Sequence, residues 1–225
     1  NLGEFSMTRD LLIKMARDVI SHGKANTIAK ADDFYKMPSS VYFDEQRNKD
    51  EKNLICKRIP IVLGPSAEIP NVGDFKTMDI VNTPIIVTRT KKGEVKGFMN
   101  TCTHRGSPIT FEETGNKMRF TCPYHGWTYT NDGKLIGIAS ENDFGNVDKE
   151  CFNLISFPVY ERAGIIWGIL NPNSKVDFNI FLQDYDNMIS HFGFENWSLF
   201  AKRTISGPNW KAGYDGYLDI YHVPV

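Results

Sequence analysis

The chain has 225 residues, which is long enough to bury a substantial core in one large or two modest domains. Its 26 basic and 27 acidic residues give a net charge of -1, without the cationic excess that nucleic-acid-binding proteins use against phosphates. No apolar run approaches the roughly 18 residues of a membrane-spanning helix, and residues 1–21 lack the apolar core of a signal peptide. These features predict a soluble, cytoplasmic protein that binds neither nucleic acid nor membrane.

The N-terminal part predicts a helix followed by a connector. Apolar residues recur at helical spacing from Thr8 to Ile20, with Thr8 as N-cap and Gly23 as the stop. Residues 32–51 are polar, contain a Pro-Ser-Ser stretch and end in a charged run, which is typical of a connector. We therefore assign residues 1–44 to an N-terminal helical segment.

Short strands separated by Gly, Pro and Asn turns follow from residue 54 onward. The predicted strands are Leu54–Leu63, Thr77–Thr90, Val95–Met99, Lys117–Thr121, Trp127–Thr130 and Leu135–Ile138. Frequent turns between short strands favour an antiparallel all-β domain, assigned here to residues 45–165.

Two loops of this domain each carry one cysteine and one histidine. C-T-H-R-G occupies residues 102–106 and C-P-Y-H-G-W occupies residues 122–127. Two thiolates and two imidazoles suit either a tetrahedral zinc ion or a [2Fe-2S] cluster in which two histidines replace two cysteines on one iron. Zinc fingers place a Cys pair before a His pair, whereas each loop here supplies one of each. The order favours the cluster, because the cysteines can converge on one iron and the histidines on the other.

The other two cysteines, Cys56 and Cys151, stand alone in ordinary surroundings. We predict them to be buried small apolar residues in a reducing compartment, without a disulfide.

Beyond the β-domain, the sequence predicts a strand, a helix and a second polar constellation. The strand is Gly164–Leu170, and the helix runs from Asp177, its N-cap, to Phe192, with His191 in a structural or surface role. Further on, if residues 209–222 are helical, three polar side chains share one face, namely Asp215, Asp219 and His222. From the residues alone this face is a solvated stripe or a metal site. Two glycines inside the helix, Gly213 and Gly216, indicate close backbone approach or distortion.

The motif C-T-H-R-G with C-P-Y-H-G-W is similar to the Rieske motif of the aromatic-ring-hydroxylating oxygenases, and N-W-K with D-x-x-Y-H is similar to the start of their mononuclear-iron motif. The resemblance implies that Cys102 and Cys122 hold the inner iron of a Rieske [2Fe-2S] cluster and that His104 and His125 hold the outer one. It also implies that His222 is the first ligand of a mononuclear non-haem Fe(II). Asp219 would link that iron to the cluster histidine of a neighbouring subunit, with Asp215 in a supporting role.

The resemblance further implies an α+β fold, an antiparallel all-β Rieske [2Fe-2S] domain plus the beginning of a helix-grip-like catalytic domain at residues 166–225. Residues 1–44 would pack on that catalytic domain. The second histidine and the distal carboxylate of the facial triad are expected past Val225, since these residues alone cannot complete it.

The implied activity is that of a terminal oxygenase, the alpha (large) subunit of a Rieske-type dioxygenase or monooxygenase in aromatic hydrocarbon catabolism. It would use O2 to hydroxylate, and more specifically to dihydroxylate, an aromatic or related small organic substrate. Electrons would come from NAD(P)H through a reductase or ferredoxin. The reduction potential of a Rieske centre is about -150 to +300 mV, against roughly -400 mV for a plant-type ferredoxin, so this transfer would be downhill. A homo-oligomer, commonly a trimer, with or without a small beta subunit, is implied as well. The alternatives are a Rieske-type electron-transfer protein without its own substrate and a zinc-stabilised binding module.

Overall fold

The computed structural model describes residues 9–218, which fall into two compact units divided between residues 41 and 42. Helix α1 (Arg9–Ala25) lies in the first unit and confirms the predicted N-terminal helix. It continues two residues past Gly23, and Thr8, its predicted N-cap, lies outside the described residues. None of the residues of α1 is buried, so its apolar stripe remains exposed on this chain.

The second unit consists of short strands with small helices at either end. The further helices are α2 (Ser40–Phe43), which crosses the unit boundary, α3 (Glu45–Asp50), α4 (Phe178–Leu182), α5 (Tyr185–Ser190) and α6 (Trp210–Leu218). The strands are β1 (Ile61–Pro65), β2 (Asp74–Asp79), β3 (Pro84–Arg89), β4 (Val95–Met99), β5 (Thr114–Asn116), β6 (Arg119–Thr121), β7 (Thr128–Thr130), β8 (Leu135–Gly137), β9 (Ser156–Phe157), β10 (Val159–Arg162) and β11 (Ile165–Gly168).

These strands form three antiparallel sheets, with the orders β1-β11-β10, β5-β2-β3-β4-β9 and β6-β7-β8. The antiparallel architecture confirms the predicted α+β fold class. Strand β11 pairs with β1, so the predicted boundary at residue 165 falls inside a paired strand. The division into residues 1–44, 45–165 and 166–225 stays a prediction.

The predicted strand Thr77–Thr90 is wrong as a single element, because a hairpin turn divides it. Val81 and Asn82 both have φ of 55°, and Ile80 and Thr83 exchange two backbone hydrogen bonds of 3.0 Å. A two-residue hairpin loop with both central residues at positive φ matches the right-handed twist of the flanking strands. β2 and β3 therefore form a tight hairpin.

The predicted strand Leu54–Leu63 is wrong over its first half. Asp44 caps α3 by accepting a hydrogen bond from the backbone N–H of Arg47, and the helix continues as a π-helical segment over Glu51–Cys56. Leu54 and Ile55 are exposed on that segment, so burial does not favour a strand there. Only the last part of the predicted strand, in β1, is extended.

The predicted helix from Asp177 to Phe192 is broken in the middle. Asp177 is the N-cap as predicted, and its Oδ1 accepts from the backbone N–H groups of Asn179 (2.9 Å) and Ile180 (3.2 Å). Gln183 and Asp184 then adopt left-handed backbone conformations and separate α4 from α5. The break places Leu182 of α4 and Ile189 of α5 in one buried cluster with Trp167 and Phe178. Burial of both helices thus outweighs helical continuity.

The prediction that Cys56 and Cys151 are buried is also wrong. Cys56 is half-buried and Cys151 is exposed, with its Sγ 3.3 Å from Oδ2 of Asp148. Cys151 lies in a 3-10 turn, Lys149–Phe152, where it does not face the core. Neither cysteine is in a disulfide.

A buried cluster beneath the loops at residues 102–106 and 122–127 joins two of the sheets. Phe75 of β2 and Phe120 of β6 meet edge to face, with ring centroids 5.1 Å apart. Cys102 and Cys122 belong to the same cluster, so both loops are fixed to the core at their first residue. Within residues 9–218, no helix is long and apolar enough to cross a membrane.

Candidate metal centre

The two Cys-His loops have the same backbone closure. In each loop the cysteine N–H donates to the carbonyl five residues ahead, and the glycine N–H donates back to the cysteine carbonyl. The hydrogen bonds are Cys102 to Ser107 (2.7 Å) and Gly106 to Cys102 (2.9 Å) in the first loop, and Cys122 to Trp127 (2.8 Å) and Gly126 to Cys122 (3.0 Å) in the second. The loops are therefore structural repeats, although the histidine is third in one and fourth in the other.

Each loop needs its glycine for the turn. Gly106 has φ of +76° and Gly126 has φ of +69°, a region that other residues adopt only with strain. A Cβ on Gly126 would also lie 2.9 Å from the Cβ of Ala139, whereas a Cβ on Gly106 would meet nothing within 4 Å. The first glycine is thus required for conformation alone, and the second for conformation and space.

The two cysteines form the inner pair of side chains. Cys102 is 3% exposed and Cys122 is 2% exposed, and their thiols lie close enough to interact. Burial raises the pKa of the Cys102 thiol, while hydrogen bonds from Tyr129 and the backbone N–H of His104 act in the opposite direction. Bound cations would stabilise both thiolates, because metal ligation requires the deprotonated form.

The two histidines form the outer pair. Both are half-buried, and their ring centroids are 4.8 Å apart at an interplanar angle of 70°. Burial, with help from the positive charges of His125 and Arg105, lowers the pKa of His104. A lowered pKa favours the neutral imidazole, which is the form that binds metal.

The pairing of these four side chains fits a two-iron cluster better than a single ion. The two cysteines lie together on the buried side, and the two histidines lie together on the outer side. A Rieske cluster takes two cysteines on one iron and two histidines on the other, so this pairing by residue type matches its ligand set. In addition, the indole N–H of Trp127 is buried beside His104 and has no protein acceptor in the described part of the chain. A buried free donor at this position suits a bound group with acceptor atoms.

A tyrosine that the sequence interpretation missed contacts the inner pair. The hydroxyl of Tyr129, fully buried on β7, lies 3.2 Å from Sγ of Cys102 and 2.9 Å from Oγ1 of Thr103. It also accepts from the backbone N–H of Thr103 at 3.3 Å, and Thr103 Oγ1 donates to the carbonyl of Phe152 at 2.8 Å. Burial raises the pKa of Tyr129, so the hydroxyl keeps its proton. It can therefore donate to a thiolate at Cys102.

We expect Tyr129→Phe to lower the reduction potential of the bound cluster by roughly 40 mV, the one-electron equivalent of a hydrogen bond worth about 1 kcal/mol. Donation to the thiolate stabilises the more negative, reduced state, so its loss disfavours reduction. A spectroscopic redox titration measures the shift. Tyr160→Phe is the matched control, because the Tyr160 ring stacks on Phe178 in a separate core cluster. An unchanged potential in Tyr129→Phe would mean that the hydroxyl proton points at Thr103.

The second constellation is only partly within the described residues. Helix α6 begins at Trp210 and is capped by Asn209, whose Oδ1 accepts from the backbone N–H groups of Lys211 and Ala212 at 3.1 Å each. Asp215 lies on α6, while Asp219 and His222 lie outside the described residues. A Cβ on Gly213 or Gly216 would meet nothing within 4 Å, so the predicted close backbone approach is not made by the described chain.

Helix α6 is held by residues that precede the first strand. The hydroxyl of Tyr42 donates to Oδ2 of Asp215 at 2.5 Å, and this hydrogen bond raises the pKa of Tyr42. Glu51 forms an ion pair with Lys211 at 2.7 Å and accepts from the indole N–H of Trp210 at 3.3 Å. Asp215 thus supports the position of α6, a contact that sequence spacing does not predict because 173 residues separate it from Tyr42.

Comparison with known proteins assigns a family model to the part of the chain that carries the two Cys-His loops. Residues 60–157 match the model of the Rieske [2Fe-2S] domain. The chain is 30% identical over 201 residues to the glycine betaine monooxygenase oxygenase subunit of Pseudomonas aeruginosa, covering 88% of this chain and 46% of that protein. It is also 30% identical over 200 residues to the anthranilate 1,2-dioxygenase large subunit of Acinetobacter baylyi, covering 85% and 42%.

Solved structures agree with these relatives. The quaternary ammonium Rieske monooxygenase CntA matches with a TM-score of 0.77 at 26% identity, covering 84% of this chain and 54% of that chain. Naphthalene 1,2-dioxygenase from Rhodococcus sp. matches with a TM-score of 0.74 at 26% identity, covering 96% and 49%. The chain spans about half the length of these relatives. These matches confirm the resemblance read from the motifs: the chain carries a Rieske [2Fe-2S] domain and is similar to the alpha (large) subunits of Rieske oxygenases.

Proposed function

We propose that this chain is part of a terminal oxygenase component that uses O2 to hydroxylate a small organic substrate. The observation that carries the proposal is the pairing of buried thiols and half-buried imidazoles on two matching loops, in a chain that continues into the N-W-K and D-x-x-Y-H motif. The loops would bind the cluster that stores electrons, and the second motif would bind the iron at which those electrons are used.

In this proposal Cys102 and Cys122 hold the inner iron, and His104 and His125 hold the outer iron. A [2Fe-2S] cluster bound there would supply one electron at a time. The protein groups around it have separate tasks. The hydroxyl of Tyr129 lies 3.2 Å from Sγ of the ligand Cys102, where it can donate to the thiolate, and the burial of both cysteines excludes water from the inner side. The half-buried histidines leave the outer side closer to solvent and to partners.

The finer steps rest on α6 and the residues that follow it. His222 is proposed as a ligand of a mononuclear Fe(II), and Asp219 as the acid that accepts from the cluster histidine of a neighbouring subunit, in a head-to-tail ring such as a trimer. The hydrogen bond from Tyr42 and the ion pair from Glu51 support this role, since they fix the helix that leads into these residues. A heterologous interface of this kind closes into a ring when the rotation permits it.

The substrate class is proposed only broadly, as an aromatic or related organic compound. The relatives named above include a glycine betaine monooxygenase and an anthranilate 1,2-dioxygenase, so quaternary ammonium compounds belong in the same test as aromatic rings. NAD(P)H is the proposed electron source, through a reductase or ferredoxin, and a small beta subunit is a further proposed partner.

The decisive experiment counts iron in the full-length protein, including the residues past Val225. We expect the cluster and one additional iron per chain, and we expect His222→Ala to lose that additional iron while the EPR signal of the reduced cluster is unchanged. His191→Ala is the matched control, because His191 is an exposed histidine whose Nδ1 faces the carbonyl of Asn187 at 2.8 Å. Turnover is then measured with reductant, O2 and both substrate classes.

A cluster without additional iron, and without O2-dependent product, would contradict the oxygenase proposal. That outcome would favour an electron-transfer protein without its own substrate. The same protein would then exchange electrons with a ferredoxin at a rate independent of any organic compound.

A further inference from the structure

One segment of the chain, residues 139–152, crosses both Cys-His loops, and we call it the cover segment. At its start the Cβ of Ala139 lies against Gly126 of the second loop, where a Cβ on the glycine would be 2.9 Å away. At its end the carbonyl of Phe152 accepts from Oγ1 of Thr103 in the first loop at 2.8 Å. The cover segment therefore touches each loop next to a histidine.

Between these two contacts, Phe144 lies against the His104 side of the site. The Trp127 ring stacks on the His104 ring, with centroids 4.8 Å apart and an interplanar angle of 3°. Phe144 presents an edge-to-face contact to both rings, 5.8 Å from His104 and 6.0 Å from Trp127. Phe144 is 42% exposed while Trp127 is 2% exposed, so the phenyl ring stands between solvent and the stacked pair.

The cover segment is held in this position by its own backbone and by an ion pair. Phe144 ends a 3-10 turn, Glu141–Phe144, between two residues with positive φ, Ser140 (53°) and Gly145 (70°). Lys149 pairs with Glu141 at 2.8 Å across the segment. These features bring the Phe144 ring back over the loops, even though the turn itself contains no buried residue.

The other histidine has a different environment. Apart from His104, the ring that contacts His125 in the described residues is that of Tyr124, at 3.8 Å between centroids. Tyr124 is 60% exposed, so it offers less shielding than the Trp127 and Phe144 pair. The aromatic cover is therefore concentrated on one of the two outer ligands.

We propose that the Phe144 ring excludes water and small solutes from the His104 side of the cluster. By this shielding it sets the cluster's reduction potential. The inference rests on the proposed function only in that a [2Fe-2S] cluster is bound by the four loop side chains. It requires neither the mononuclear iron nor a substrate.

The direction of the effect follows from the charge of the centre. Two thiolates and two sulfides balance two ferric ions, so the oxidised centre is neutral and the reduced centre carries one negative charge. An apolar ring that keeps water away disfavours the charged state. Removal of the ring therefore raises the reduction potential and also opens a path for small oxidants.

The test is stopped-flow oxidation of the dithionite-reduced protein by the ferric EDTA complex, together with a redox titration. We expect Phe144→Ala to increase the second-order rate constant severalfold and to raise the potential, while Phe144→Leu falls between Ala and wild type. Phe111→Ala is the matched control, because Phe111 is 75% exposed and its ring shields little of the protein from solvent. Its rate constant and potential are expected to equal those of the wild type.

Two outcomes would overturn the inference: a Phe144 variant that keeps its cluster and reacts at the wild-type rate, or equal increases at Phe144 and Phe111. If Phe144→Ala does not retain a cluster, Phe144→Leu decides the question by the same criterion. Absence of a [2Fe-2S] signal in the wild type would instead contradict the proposed function itself, so the two failures are distinguishable.

Discussion

Replacement of Cys122 by alanine is expected to abolish the visible absorption of the protein and to remove the iron and sulfide of the cluster together. Cys122 is 2% exposed and its thiol faces that of Cys102, so neither water nor a surface side chain can take its place. One remaining thiolate leaves the inner iron without its second protein ligand. Iron and acid-labile sulfide assays on the purified variant measure the loss.

Cys151→Ala is the matched control for Cys122→Ala. Cys151 is exposed and its Sγ contacts Asp148, away from the paired thiols. We expect this variant to retain wild-type iron, sulfide and EPR signals. Full iron content in Cys122→Ala, or loss of iron in Cys151→Ala, would contradict the assignment of the inner pair.

Trp127→Ala is expected to produce the largest loss of stability among substitutions beside the site. Trp127 is 2% exposed, stacks on His104 and packs edge to face on Phe152 with centroids 5.5 Å apart. Truncation of a buried tryptophan to alanine costs about 3–5 kcal/mol, because apolar contacts are lost and a cavity remains. The midpoint of guanidinium unfolding should fall by about 1 M, given the slopes usual for proteins of this size.

Trp197→Ala is the matched control, because it removes an exposed tryptophan where Trp127→Ala removes a buried one. Trp197 is 60% exposed and contacts the Phe194 ring at 4.7 Å, so its truncation should cost less than about 1 kcal/mol. Equal unfolding midpoints for the two variants would show that Trp127 does not hold the loops on the core. Unfolding is followed by tryptophan fluorescence and by cluster absorbance, since a bound cofactor can make the two transitions differ.

The ligand loops were predictable from the sequence because their chemistry is local. Cys102 with His104, and Cys122 with His125, lie within four residues of each other, and glycine marks each turn. Strand β4 and the N-cap at Asp177 were predictable for the same reason, as each depends on a short pattern. The contact of Tyr129 with Cys102 was not predicted, although the inward position of Tyr129 on β7 gave a signal in the alternation of Thr128, Tyr129 and Thr130.

Two of the mispredicted elements, the strand Thr77–Thr90 and the helix from Asp177 to Phe192, are interrupted by backbone conformations that their residues do not usually adopt. Val81 is β-branched and has φ of 55°, so the β2–β3 turn carries no glycine signal. Gln183 and Asp184 divide a helix whose apolar spacing is otherwise continuous. The contact of Phe144 with His104 depends on the path of the cover segment between Ser140 and Gly145, which no periodicity encodes.

The central claim is that two thiols and two imidazoles from matching loops bind one [2Fe-2S] cluster, with the histidines on the same iron. The most direct test is EPR of the anaerobically reduced protein, purified from cells supplied with 15N-histidine. Iron, sulfide and zinc are quantified on the same sample. We predict two irons and two sulfides per chain and a rhombic signal with hyperfine coupling to two histidine nitrogens. One zinc per chain without visible absorption, or a cluster signal without nitrogen coupling, would contradict it.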